Sequence, residues 1–142
     1  MFSALPFGNR TVIETLAGAQ LQEAFLNGFT PFCDPAFGGG TGRFPQVSGL
    51  KVTYTCNGVT PVITGMWKTP QGINGPAIPI GPADTVRLVT NDFMYTGGDG
   101  YTIMAQGTEV LMPGDDLLQV AIDYVTANSP VGPVVEGRIV GP

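Results

Sequence analysis

Apolar residues recur along this chain in two rhythms, and the changes between them mark out its elements. Residues 11–16 hold a short apolar-rich run that predicts a strand. Ala17, Leu21, Ala24, Phe25 and Gly28 then fall at helical spacing, with Gly28 placed to end the helix as its C-cap. Residues 30–48 are irregular and rich in Gly, Pro and Phe. Leu50, Val52, Tyr54 and Cys56 alternate with Lys51, Thr53 and Thr55, the two-residue period of a half-buried strand. Asn57-Gly58 is a hairpin turn signal that returns the chain through Val62, Ile63 and Met66.

Residues 69–84 form another Pro/Gly loop, and residues 85–90 alternate again as a strand. Asp115 or Asp116 suits a helix N-terminus, where a carboxylate satisfies free N–H groups and the dipole. That helix presents Leu117, Leu118, Ala121, Ile122 and Val125 to the core and ends near Asn128, before Pro130. Residues 136–140 read as a last strand. The sum is an α+β fold: a mixed, largely antiparallel sheet with two main helices and long Gly/Pro-rich loops. The length of 142 residues fits one domain over 1–142.

Composition changes this picture mainly by exclusion. Only 12% of residues are charged, about half the usual share, while 43% are hydrophobic. A net charge of −5, with basic residues scattered from Arg10 to Arg138, argues against nucleic acid polymers as partners. No apolar run approaches the ~18 residues of a membrane span. No signal peptide is read at Met1, and the chain is expected to be a segment of a longer protein. Cys33 and Cys56 are either a disulfide or two buried thiols, with the bridge favoured for an exported protein.

The chain has no histidine, which removes Ser/His and Cys/His nucleophile pairs and makes a transition-metal site built by this chain improbable. The glycine run at residues 38–42 lacks the Lys-Ser/Thr of a phosphate loop and reads as a surface loop. Asp115 and Asp116 read as helix caps rather than paired catalytic acids. Phe29, Phe32 and Phe37 share one long loop and read as local core packing. The informative stretch is NDFMYTGGDGY at residues 91–101. Phe93 precedes a turn of Gly97 and Gly98 whose one charge is Asp99. Glycines let backbone approach a ligand closely, and a carboxylate accepts hydrogen bonds from neighbouring hydroxyls. Phe7 sits in a second stiff loop, between Pro6 and Gly8, with Asn9 beside it. Two rings, an acid and an amide are the parts of a nucleoside seat: stacking on each base face is worth about 1–3 kcal/mol.

Five segments in order now resemble one family, the C-terminal domain of the 5′-nucleotidases. They are LPFGN at 5–9, LAGAQLQEAF from 16, GRFPQVSGLKVTY at 42–54, VTNDFMYTGGDGY at 89–101 and VEGRI at 135–139. The resemblance implies a two-domain metallophosphohydrolase. An N-terminal domain, absent from this chain, would carry two divalent metal ions and the catalytic His-Asp pair. A metal-activated water would attack phosphorus there. A large domain rotation would carry the nucleotide bound to the C-terminal domain to those metals. The resemblance assigns Phe7 and Phe93 to clamp the base, Asp99 to accept from the ribose hydroxyls, and Asn9 to contact base or ribose. Gly97 and Gly98 shape the turn.

The family's phosphate-holding Asn-Gly-Gly-x-Arg segment lies upstream of LPFGN and is not in this chain; neither Arg10 nor Arg43 matches it. The parent is therefore expected to be a 5′-nucleotidase-like hydrolase that is periplasmic, secreted or at the cell surface, and this chain alone to be inactive. Within the family, UDP-sugar, NAD and 2′,3′-cyclic nucleotide hydrolysis stay open. The alternative outside catalysis is a binding or dimerisation module.

Overall fold

A computed structural model describes residues 5–37, 42–132 and 134–142. In chain order the elements are β1 (Thr11–Ala17), α1 (Gly18–Cys33), β2 (Leu50–Asn57), β3 (Thr60–Lys68) and β4 (Ile78–Pro79). Then follow β5 (Thr85–Asn91), α2 (Asp92–Tyr95), β6 (Thr108–Leu111), α3 (Leu117–Asn128) and β7 (Ile139–Val140). Short 3-10 turns occupy Pro35–Phe37, Gly98–Gly100 and Thr102–Gln106. The fold is α+β with two sheets, mostly antiparallel. Gly38, Gly39, Gly40 and Thr41 of the glycine run lie outside the described residues. The chain divides into two compact units, one from stretches 5–16 and 86–134, the other from 17–85 and 135–142.

In the second unit, β2 and β3 form the hairpin expected from Asn57-Gly58, paired from Leu50↔Lys68 to Asn57↔Thr60. Gly58 takes φ +61, which the tight turn needs. β7 adds in parallel beside β2 at Val52↔Ile139, and β4 pairs with β3. The last strand is shorter than the expected 136–140, because only Ile139 and Val140 find ladder partners. The start of α1 explains its Ala-Gly-Ala sequence. Gly18 N–H donates to Asp84 O at 2.7 Å and Ala19 N–H to Pro82 O at 3.0 Å, so a turn satisfies the free donors of the helix. A Cβ on Gly18 would sit 2.0 Å from Gly81 O, so this approach admits glycine alone.

Gly28 does not end α1, contrary to the sequence expectation. The helix continues through Pro31 to Cys33, with Thr30 Oγ1 donating to Leu26 O at 2.8 Å. Glycine inside a helix costs about 1 kcal/mol. The residues beyond it offset that: Phe29 is fully buried, its ring stacked on Tyr54 with centroids 4.1 Å apart. Phe32 and Phe37 are instead about half exposed, so only Phe29 of the three packs in the core. The Cys33–Cys56 disulfide ties the end of α1 to β2.

In the first unit the sheet order is β5-β1-β6. β6 follows a 3-10 turn and was not evident in the sequence. Along β1, Val12, Glu14 and Leu16 are all fully buried on one face. Asp116 caps α3 as expected, its carboxylate accepting from Gln119 N–H at 2.9 Å. The apolar stripe of α3, however, is only half-buried. The buried apolar positions of this unit come instead from β1, from Val86, and from Tyr101, Ile103 and Met104 after the GGDG turn.

Glu14 is the exception among the buried residues of β1. Among the described residues, neither carboxyl oxygen has a hydrogen-bond partner, and a Cβ on Gly107 would meet Oε2 at 2.0 Å. Burial without a partner disfavours the anion and pushes the Glu14 carboxyl up to about 7. The unfolded chain ionises near 4.5. The folded state therefore keeps the contribution of Glu14 in full below that pH and loses it as pH rises through about 7. The loss is on the order of 3 kcal/mol.

Two stability measurements follow. Thermal melts should show the unaltered chain losing stability between pH 4.5 and pH 7 relative to Glu14→Gln; parallel profiles would refute a neutral buried acid. Replacing both Cys33 and Cys56 with serine should lower unfolding free energy by about 3 kcal/mol in denaturant titrations, the closure entropy of that loop.

Candidate functional site

The stretch N-D-F builds a small platform. β5 ends at Asn91, whose side-chain oxygen accepts from Met94 N–H at 2.7 Å and so caps the single helical turn α2. Asp92, half-buried, is the hub of that turn. Its Oδ1 accepts from Asn9 Nδ2 at 2.9 Å, from Arg10 N–H at 3.2 Å and from Phe93 N–H at 3.0 Å. In return Asp92 N–H donates to Arg10 O at 2.9 Å. Two segments 83 positions apart are thereby held together. The hydrogen bond from the Asn9 amide, then those from the two backbone N–H groups, lower the Asp92 carboxyl below its ordinary value, so it is an anion at neutral pH.

The turn after α2 is shaped by three positive-φ residues, Gly97 at +92, Asp99 at +53 and Gly100 at +81. Asp99 tolerates this left-handed conformation as a short polar side chain does. Gly98 has a different role. A Cβ there would lie 2.5 Å from Cε1 and Cζ of Phe93, so the ring rests directly over the Gly98 backbone. Phe93 is nevertheless 48% exposed. Thr96 completes the platform, its hydroxyl donating to Asp92 O at 2.9 Å and Phe93 O at 3.1 Å.

Asn9, Asp92, Phe93 and Thr96 line an open cleft of about 200 Å³. Of the residues singled out in the sequence, Asn9 and Phe93 thus share one cleft, and Gly98 supports the ring. Asp99 is exposed in the same turn. Phe7 is 84% exposed, two residues before Asn9, where Gly8 at φ +62 turns the chain. It does not border the cleft and makes no ring contact with Phe93. Asp92 and Thr96 were not foreseen. Their signal is Asn-Asp followed by Thr96, an N-cap, a first-turn acid and a hydroxyl one turn later. Among the described residues, no three His, Cys, Asp or Glu gather as a metal would require. No described helix is long and apolar enough to cross a membrane.

Gly98→Ala is predicted to displace the Phe93 ring and to cost about 1–3 kcal/mol, as overpacking does. Aromatic chemical shifts of Phe93 read the displacement; unchanged shifts would contradict the contact.

Residues 1–106 match the family described as 5′-nucleotidase, C-terminal domain. The trifunctional nucleotide phosphoesterase protein YfkN of Bacillus subtilis (strain 168) is 33% identical over 98% of this chain and 9% of its own length. A snake venom 5′-nucleotidase of Macrovipera lebetinus is 30% identical over 96% of this chain and 33% of its own. The crystal structure of a 5′-nucleotidase precursor from Thermus thermophilus superposes with a TM-score of 0.81 at 29% identity. It covers 99% of this chain and 26% of that one. The chain thus spans a third or less of the length of these relatives. Fold and sequence agree: the chain belongs to the 5′-nucleotidase C-terminal domain family.

Proposed function

We propose that this chain is the nucleoside-recognising part of a 5′-nucleotidase-like phosphoric ester hydrolase. The base lies against Phe93 and is closed on its other face by Phe7. Asp99 accepts from the ribose hydroxyls, and Asn9 reads the base edge. The observation that carries the reading is the Phe93 ring, backed by Gly98 yet half exposed beside a cleft lined by polar groups. A ring left this open in a well-capped turn loses apolar burial, and a stacked base restores it. The exposed Phe7, on the segment that Asp92 anchors, is the natural second face.

The donor set of this chain does not fit a pair of divalent ions, since it has no histidine and no acid cluster among the described residues. In this reading the two metals, the catalytic residues and the phosphate clamp belong to an N-terminal metallophosphatase domain of the same polypeptide. This chain supplies binding and orientation, which is a substantial part of catalysis. The disulfide, and a relative named for venom, support an exported parent.

The test is an NMR titration with adenosine and AMP. Residues around Phe7 and Phe93 should shift, and Phe7→Ala and Phe93→Ala should each weaken binding by about 1–3 kcal/mol. Silence of both loops at millimolar nucleoside in the folded chain would end the proposal.

A further inference from the structure

The nucleoside reading leaves open which bases the cleft accepts, and the Asn9–Asp92 pair bears on that. An asparagine amide carries a donor end and an acceptor end on one plane. When free to turn over, it matches an amino edge of a base or the reversed keto edge. Here it is not free. Asp92 Oδ1 accepts one Asn9 Nδ2 hydrogen at 2.9 Å, and that same oxygen is held by the N–H groups of Arg10 and Phe93. An ionised carboxylate only accepts. Turning the amide over would bring Asn9 Oδ1 against Asp92 Oδ1, two acceptors with no hydrogen between them.

The other polar groups of the cleft share this bias. No described residue donates to Asn9 Oδ1 or to Asp92 Oδ2. The Thr96 hydroxyl directs its hydrogen to the backbone oxygens of Asp92 and Phe93, leaving a lone pair. Arg10, the nearest cation in sequence, donates through Nε to Gly114 O. Each polar side chain lining the cleft therefore offers an acceptor. Among the described residues lining the cleft, only the second Nδ2 hydrogen of Asn9 is left as a side-chain donor.

Resting on that reading, we propose that Asp92, by fixing the Asn9 amide, makes the cleft select bases that set an amino group beside an unprotonated ring nitrogen on the pairing edge, adenine and cytosine, over hypoxanthine and uracil. The adenine N6 amino group donates to Asn9 Oδ1 while the neighbouring ring nitrogen accepts from Nδ2, the bidentate match of asparagine with adenine. Cytosine offers the same order through N4 and N3. Hypoxanthine and uracil place a carbonyl oxygen against Asn9 Oδ1, and their N–H faces an N–H. Asp92 is thus a positioning residue that sets specificity through Asn9.

The test compares adenosine, inosine, cytidine and uridine by NMR titration of this chain, following Phe93 and the Asn9 side-chain amide. Adenosine should bind about tenfold tighter than inosine, and cytidine tighter than uridine. Asp92→Ser, whose hydroxyl both donates and accepts, frees the amide and should draw both ratios toward one. Asn9→Ala should do the same with Asp92 in place, so the outcome does not hang on one variant folding. A purely structural role for Asp92 would weaken all four nucleosides alike and leave the ratios standing, which would overturn the proposal. Equal binding of adenosine and inosine by the unaltered chain would overturn it too, while the nucleoside reading survives. No response to any of the four would overturn both.

Discussion

One carboxylate oxygen, Asp92 Oδ1, takes three hydrogen bonds from two stretches of chain that are 83 positions apart. An unmet donor at a half-buried site is expensive, so the segment carrying Asn9 and the turn carrying Phe93 are fixed to each other through this atom. The rest of the site follows from it. The orientation of Asn9 and the ring platform of Phe93 depend on Asp92 staying ionised and in place. Asn91 serves the same end by capping α2, so the backbone that presents Asp92 and Phe93 is itself satisfied.

Glycine completes the design by subtraction. Gly98 gives the Phe93 ring a flat backbone to lie on, and Gly97 supplies the left-handed turn that brings that backbone round. In the proposed reading such stiffness favours binding, because a ring already held in place loses little entropy when a base stacks on it. The acidic, sparsely charged composition suits the proposed reading, in which the domain grips a sugar and base and leaves the phosphate to other groups. In the proposed reading, binding and chemistry are divided between parts of one polypeptide, with this part responsible for orientation.

Much of this was legible in the sequence, and for identifiable reasons. The β2–β3 hairpin was readable because alternation and Asn57-Gly58 point the same way. The Asp116 cap was readable because a cap is a local matter. The end of α1 was not: Gly28 is a good local stop signal, overruled by the burial of Phe29 and by the disulfide at Cys33. The half-burial of the α3 stripe also escaped, since periodicity marks a face without saying how deeply it is covered. Phe93, Asn9 and the GGDG turn stood out as motifs. Asp92 did not, because its importance lies in long-range hydrogen bonds that no local pattern encodes. Glu14 looks like an outward strand residue by type, and its burial is set by β1 alternation.

The central claim is that the two exposed rings close on a base. Intermolecular NOE spectroscopy of the chain with adenosine tests it most directly. The account predicts cross-peaks from the base H2 and H8 protons to the ring protons of both Phe7 and Phe93, with ribose protons near Asp99. Cross-peaks confined to another surface, such as exposed Val120 and Tyr124 of α3, with none to either phenylalanine, would contradict it.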